Sequence, residues 1–126
     1  MKILLADPHP DVQSALHLIV NRIPEVNEVS EANNLVQLLA ICAHSCPDLI
    51  LFDLDLVHPA RSHSQTLTDL INVIHRLCPC SRVVGMSSRF EAKQEALAAG
   101  ASGFISKTDP PDVVLSGIVR LLGINL

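Results

Sequence analysis

The chain of 126 residues has no tryptophan or tyrosine, and it contains only three phenylalanines. It also has no cluster of lysine and arginine, and its net charge is −4. Without a basic face we expect no direct binding to nucleic acid. The apolar runs are far shorter than the ~20 residues that a membrane-spanning helix needs. Because the amino terminus also carries no signal peptide, we predict a cytoplasmic protein with no membrane segment.

The cysteines come without a secretory signal, which favours reduced thiols. They are Cys42, Cys46, Cys78 and Cys80. Cys46 and Cys78 precede two runs that we interpret below as neighbouring strands, so a zinc site or a redox pair at that edge, with His44 nearby, is an alternative. The spacings match no standard zinc pattern. We therefore predict free thiols and no bound zinc.

Short apolar runs alternate with amphipathic segments of helical length along the whole chain. Such runs are typical of strands that are buried on both faces of a parallel sheet. We predict strands at about residues 2–6, 26–30, 48–53, 82–86 and 102–106. A strand followed by a helix, repeated five times, predicts an α/β fold with helices on both faces of a five-stranded parallel sheet, in a single domain over residues 1–126.

Helix boundaries are predicted from residues that favour caps and first turns. The first helix is expected after the segment Pro8 to Pro10, and the third near Ser64. The fourth is expected at about residues 89–99, before Gly100. For the remaining two helices, the predicted N-caps are Asn33 for the second and Asp109 for the fifth, with Pro110 at the first helical position.

Four polar residues lie at the carboxyl ends of the predicted strands. Asp7, Asp53, Ser87 and Lys107 come at the ends of the first, third, fourth and fifth apolar runs. The carboxyl ends of parallel strands lie at one edge of the sheet, and ligands bind at that edge. We therefore expect two carboxylates, a hydroxyl and an ammonium to converge on one site, a set that suits a metal ion and a phosphoryl group.

Four stretches carry a resemblance to a known family. They are ILLAD at 3–7, PDLILFDLD at 47–55, VVGMS at 83–87 and GASGFISK at 100–107. In this order the chain resembles the receiver domains of two-component response regulators over nearly its whole length. The segment Asp7 to Pro10 is most similar to receivers that precede a LuxR-type helix-turn-helix domain. The resemblance implies a flavodoxin-like topology with strand order 2-1-3-4-5.

The resemblance also implies a role for each residue of the predicted site. Asp53 would accept a phosphoryl group from a phosphohistidine on a sensor kinase. The other implied roles are Mg²⁺ binding by Asp7, Asp53 and the backbone of Asp55, phosphoryl binding by Ser87 and Lys107, and switching by Phe104. The implied partners are a sensor histidine kinase and a C-terminal helix-turn-helix output domain, absent or truncated in this chain, which would regulate transcription. A homodimer stays open, and no enzyme is implied.

The sequence departs from the family in two places. Receivers usually carry two adjacent acids after the first strand, but here Pro8 follows Asp7 and offers neither a carboxylate nor a backbone N–H. We therefore predict weak Mg²⁺ binding. The segment from Leu56 to Ser64 is longer than the usual loop, and its only proline, Pro59, comes late.

Three alternatives remain beside the phosphorylated receiver. The first is a pseudo-receiver that binds partners without being phosphorylated, which the residue Pro8 favours. The second is a transition-metal site in which His9, His58 and His63 join the acids of the same edge. The third is a flavin binder, which would need a phosphate-binding loop of Gly, Ser and Thr after the first strand, where this chain has acids and prolines.

Overall fold

The computed structural model describes residues 1–57 and 63–124. The strands are β1 Lys2–Ala6, β2 Glu28–Ala32, β3 Leu49–Asp53, β4 Arg82–Ser87 and β5 Gly103–Ser106. The helices are α1 Pro10–Val20, α2 Leu35–His44, α3 His63–Leu77, α4 Ala92–Ala98 and α5 Pro111–Leu122, with a 3-10 turn at Leu54–Leu56. The strands pair in parallel in the order β2-β1-β3-β4-β5. This order confirms the predicted fold class.

Strand β3 explains why the sheet has helices on both faces. All five of its residues are buried, and successive side chains point to opposite faces. Ile50 and Phe52 pack in one hydrophobic cluster, which includes residues of α2, α3 and α4. Leu49 and Leu51 pack in the other, which includes residues of α1 and α5. Within the described residues, no helix is both long and apolar enough to cross a membrane.

Two predicted helix caps are wrong by one residue. Asn34, rather than Asn33, caps α2, and its side chain accepts a hydrogen bond from the backbone N–H of Gln37. The Gln37 side chain accepts one in return from the backbone N–H of Asn33. This reciprocal pair is what selects the second asparagine.

The fifth helix is displaced in the same way. Pro110 is the N-cap, with extended backbone angles, and Pro111 is the first helical residue. The residue before a proline is pushed out of the helical region by the proline ring. Pro110 therefore cannot occupy the first helical position, and Asp109 is not the cap.

Helix α4 is shorter than predicted. Helix α4 starts at Ala92, three residues later than predicted. Gly100 follows its C-cap with φ of +107°, as the terminating glycine requires. Most of the long segment from Leu56 to Ser64, including His58, lies outside the described residues.

The predicted free thiols are wrong for two of the four cysteines. Cys46 and Cys78 form a disulfide, with their Cα atoms 5.4 Å apart. Cys46 lies between α2 and β3, and Cys78 lies between α3 and β4. Because β3 and β4 are neighbours, these connections meet at the edge opposite Asp53. Cys42 and Cys80 are free, and the absence of bound zinc stays a prediction.

The two free thiols differ in accessibility. Cys42 is buried, and this burial raises the pKa of its thiol, whereas Cys80 is exposed. Since the thiolate is the reactive form, we expect iodoacetamide to modify Cys80 well before Cys42 in the unreduced protein. Peptide mapping by mass spectrometry over time measures both rates. Equal rates would contradict the buried placement of Cys42.

Candidate functional site

Two buried carboxylates lie side by side at the carboxyl edge of the sheet. Asp53 ends β3, and Asp7 directly follows β1, which pairs with β3. The two residues are 1% and 0% exposed, respectively. A buried carboxylate needs a compensating charge or hydrogen bonds, so two in one place require a cationic neighbour.

Lys107 provides that positive charge. Its Nζ donates a hydrogen bond to Asp53 Oδ2 and lies 2.7 Å from Asp7 Oδ2. The backbone N–H of Lys107 bonds to the carbonyl of Ser87, 3.0 Å away, and this bond fixes the lysine just beyond β5. One ammonium therefore serves two carboxylates, which leaves one negative charge without a positive partner among these three groups.

His9 stands at the solvent side of Asp7. Its backbone N–H and its ring Nδ1 lie 2.8 Å and 2.9 Å from Asp7 Oδ1. The same Nδ1 is 4.0 Å from Asp53 Oδ2, and about half of the His9 side chain is exposed. Of the three histidines in the proposed transition-metal alternative, His9 is thus placed against both acids, while His58 lies outside the described residues.

Of the other predicted site residues, Asp55 contacts a carboxylate, while Ser87 and Phe104 make other contacts. The Asp55 side chain is exposed, and its backbone N–H donates to Asp53 Oδ1 over 2.6 Å. Ser87 is 5% exposed, and its hydroxyl accepts a hydrogen bond from the backbone N–H of Arg89, so it shapes the turn before α4. Phe104 is partly buried and packs against the hydrophobic cluster that contains Ile50 and Phe52.

Gln13 is a residue that sequence reasoning missed. It is 3% exposed, and its Nε2 donates to the carbonyls of Leu5 and Ala32 at 3.1 Å and 2.8 Å. Gln13 thereby links α1 to the ends of β1 and β2 directly beneath Asp7. Its spacing from Leu16 and Val20, by three and seven residues, was the available signal, because it puts a polar side chain on the buried helix face.

The carboxylates fit a divalent cation in part. Asp7 and Asp53 offer oxygen ligands at a place with surplus negative charge, which is what a hard cation requires. Within the described residues, Asp7 Oδ2 accepts no hydrogen bond of good geometry, although the Lys107 ammonium is close to it. The position after Asp7, where the family has a second acid, holds Pro8 and adds no ligand. Asp7 and Asp53 would hold the cation, and the His9 imidazole is a further side-chain donor beside them.

Comparison with known proteins shows the family to which this chain belongs. The chain matches the response regulator receiver domain family over residues 3–118, and it belongs to that family. It is 30% identical over 116 residues to the nitrate/nitrite response regulator protein NarL of Escherichia coli K12, covering 92% of this chain and 52% of that protein. It is 34% identical over 128 residues to the transcriptional activator protein ExaE of Pseudomonas putida, covering 97% and 55%.

A solved structure agrees with these relatives. A LuxR family DNA-binding response regulator from Silicibacter pomeroyi is 27% identical, with a TM-score of 0.74 over 98% of this chain and 92% of that one. The receiver domain of NarL from Mycobacterium tuberculosis, at 23% identity and a TM-score of 0.73, shares the fold over 98% and 97%. The chain spans about half the length of the curated relatives it matches.

The substitution Pro8→Asp tests the account of the cation site. Pro8 is exposed, so the change should leave the fold intact, and it adds a carboxylate beside Asp7. We expect Mg²⁺ to bind about tenfold more tightly, because affinity for a hard cation rises with the number of charged oxygen ligands. Isothermal titration calorimetry measures the dissociation constant. An unchanged affinity would mean that Asp7 and Asp53 do not form the cation site.

Proposed function

We propose that this receiver domain accepts a phosphoryl group on Asp53 from a phosphohistidine of a sensor kinase. The observation that carries the proposal is the arrangement around Asp53: a strand-end carboxylate, with a second carboxylate and an ammonium in contact at the same sheet edge. Transfer of a phosphoryl group needs a nucleophilic oxygen, a place for a divalent cation and a positive group for the phosphoryl oxygens. Asp53, Asp7 and Lys107 offer one of each.

The proposed transfer replaces a P–N bond of the kinase by a P–O bond of Asp53. A carboxylate oxygen of Asp53 attacks phosphorus, and a new P–O bond forms as the P–N bond to the kinase imidazole breaks. The bonding pair leaves with the imidazole nitrogen, which takes up a proton from water, and an acyl phosphate remains on Asp53. A divalent cation held by Asp7 and Asp53 would neutralise the negative charge that develops on the phosphoryl oxygens.

Lys107 would pass the change at Asp53 to the rest of the domain. Its ammonium holds both carboxylates, and a phosphoryl group with more negative charge would draw it away from Asp7. The backbone N–H of Lys107 donates a hydrogen bond to the carbonyl of Ser87. A movement of Lys107 would therefore change the positions of the ends of both β4 and β5. Ser87, once its hydroxyl turns from the Arg89 N–H, would bind a phosphoryl oxygen. Phe104, partly buried on β5, would respond to the same movement.

The wider role follows from the relatives, which are named as response regulators and transcriptional regulators. We infer that a helix-turn-helix output domain follows the receiver in the complete protein and that its DNA binding responds to phosphorylation at Asp53. The receiver itself would contact the kinase and the output domain and not DNA. Pairing of two receivers is a further part of this proposal.

Labelling by a small phosphodonor tests the proposed function directly. We expect acetyl phosphate with saturating Mg²⁺ to add one phosphoryl group, seen as a mass increase and located at Asp53 by peptide mapping. The rate should be slow, because Pro8 supplies no carboxylate to the cation. If neither acetyl phosphate nor a cognate kinase labels the chain, the pseudo-receiver is the correct function, and its partners should bind equally well to Asp53→Asn.

A further inference from the structure

The ligand atoms beside Asp53 include a nitrogen. One atom from each of Asp7, His9 and Asp53 lies within 4.8 Å of the other two. His9 Nδ1 is 2.9 Å from Asp7 Oδ1 and 4.0 Å from Asp53 Oδ2. Two ligands of one first-row cation are about 3–4 Å apart, since each metal–ligand bond is about 2.1 Å. The spacing of these three side chains therefore fits a single small metal ion.

We propose that His9 is a metal ligand and that this site prefers a transition-metal cation of the Co²⁺, Ni²⁺ or Zn²⁺ type over Mg²⁺. Mg²⁺ is held by oxygen ligands in near-ideal octahedral geometry, whereas imidazole suits the later first-row metals. Pro8 supplies no side-chain carboxylate where the family has its second acid, and the side chain that joins Asp7 and Asp53 in a set with metal-ligand spacing is the imidazole of His9. The inference rests on the proposed function, because it concerns the cation of the same site.

Burial and charge support the same assignment. Asp7 and Asp53 are almost completely buried and share one ammonium, so a divalent cation beside them is favoured electrostatically. His9 is half-exposed and contacts the buried Asp7, so its ring is accessible from solvent. Its backbone N–H holds Asp7 Oδ1 at 2.8 Å independently of the ring. The Nδ1 atom can therefore turn to a metal ion while the backbone N–H keeps Asp7 in place.

Paired titrations with Co²⁺ and Mg²⁺ test the proposal. We expect His9→Ala to weaken Co²⁺ binding by about tenfold or more and to change Mg²⁺ binding far less, because only the former metal favours nitrogen. His9→Asn, which keeps a short polar side chain, should do the same and guards against a folding defect in the alanine variant. His17→Ala is the matched control, since His17 Nδ1 also lies 2.9 Å from a carboxylate, that of Glu31, away from the site.

A spectroscopic measurement locates the ion without reference to activity. Paramagnetic Co²⁺ should broaden the imidazole signals of His9 in proton NMR spectra at concentrations that leave those of His17 unchanged. The proposal is overturned if the histidine variants lower Co²⁺ and Mg²⁺ affinity by the same factor, or if they leave Co²⁺ binding unchanged. Labelling of Asp53 by a phosphodonor is measured separately, so an all-oxygen Mg²⁺ site in a competent receiver is distinguished from loss of the receiver function itself.

Discussion

We expect Lys107→Ala to lower the free energy of unfolding by about 3 kcal/mol, because removing one member of a buried ion pair leaves charge uncompensated. Here it leaves two carboxylates that are almost fully buried and adjacent. Their repulsion and lost hydration act against the folded state, since both groups are fully hydrated in the unfolded chain. Urea denaturation followed by circular dichroism measures the change.

The response of this variant to divalent cations makes the test specific. A cation bound by Asp7 and Asp53 replaces part of the missing charge, so Mg²⁺ or Co²⁺ should raise the melting temperature of Lys107→Ala more than that of the unmodified protein. Lys93→Ala is the control, because Lys93 is exposed on α4. A loss of stability in Lys107→Ala no larger than in Lys93→Ala would show that the two carboxylates do not depend on Lys107.

The fold was predictable where burial is strong. Strands β1, β3 and β4 are nearly all buried, so hydrophobicity alone predicted them to within about one residue. The predicted β2 began two residues too early. That strand is at the edge of the sheet, only Ala32 is fully buried in it, and its residues Glu28–Ala32 are defined by pairing with β1 rather than by their own hydrophobic pattern. Pairing between distant segments leaves no local signal.

The site was predictable to the level of which strand ends meet. The positions of Asp7, Asp53 and Lys107 at the ends of apolar runs predicted that they would converge, because the carboxyl ends of strands in a parallel sheet share one edge. Which side chains touch was not predictable, since it depends on rotamers and on the turns between elements. The sharing of Lys107 by two acids and the contact of His9 with Asp7 are of this kind. The disulfide between Cys46 and Cys78 is another, because it depends on two loops meeting.

The largest functional effect is expected for Asp53→Asn, which should abolish phosphoryl labelling. An amide oxygen is a far weaker nucleophile than a carboxylate and cannot form the acyl phosphate. The same change leaves Lys107 paired with Asp7, so the variant should stay folded even though the amide keeps only one of the two acceptor oxygens of Asp53. Intact mass after incubation with a phosphodonor measures labelling, and thermal denaturation confirms that the variant is folded.

Asp55→Asn is the matched control, because it makes the same chemical change two residues away on an exposed side chain. The implied role of Asp55 in Mg²⁺ binding rests on its backbone, and the substitution keeps that backbone, including the N–H that donates to Asp53 Oδ1. Asp55→Asn should therefore still be labelled. Labelling that persists in Asp53→Asn would place the acceptor elsewhere, while loss of labelling in Asp53→Asn alone would identify the buried carboxylate at the end of β3 as the acceptor.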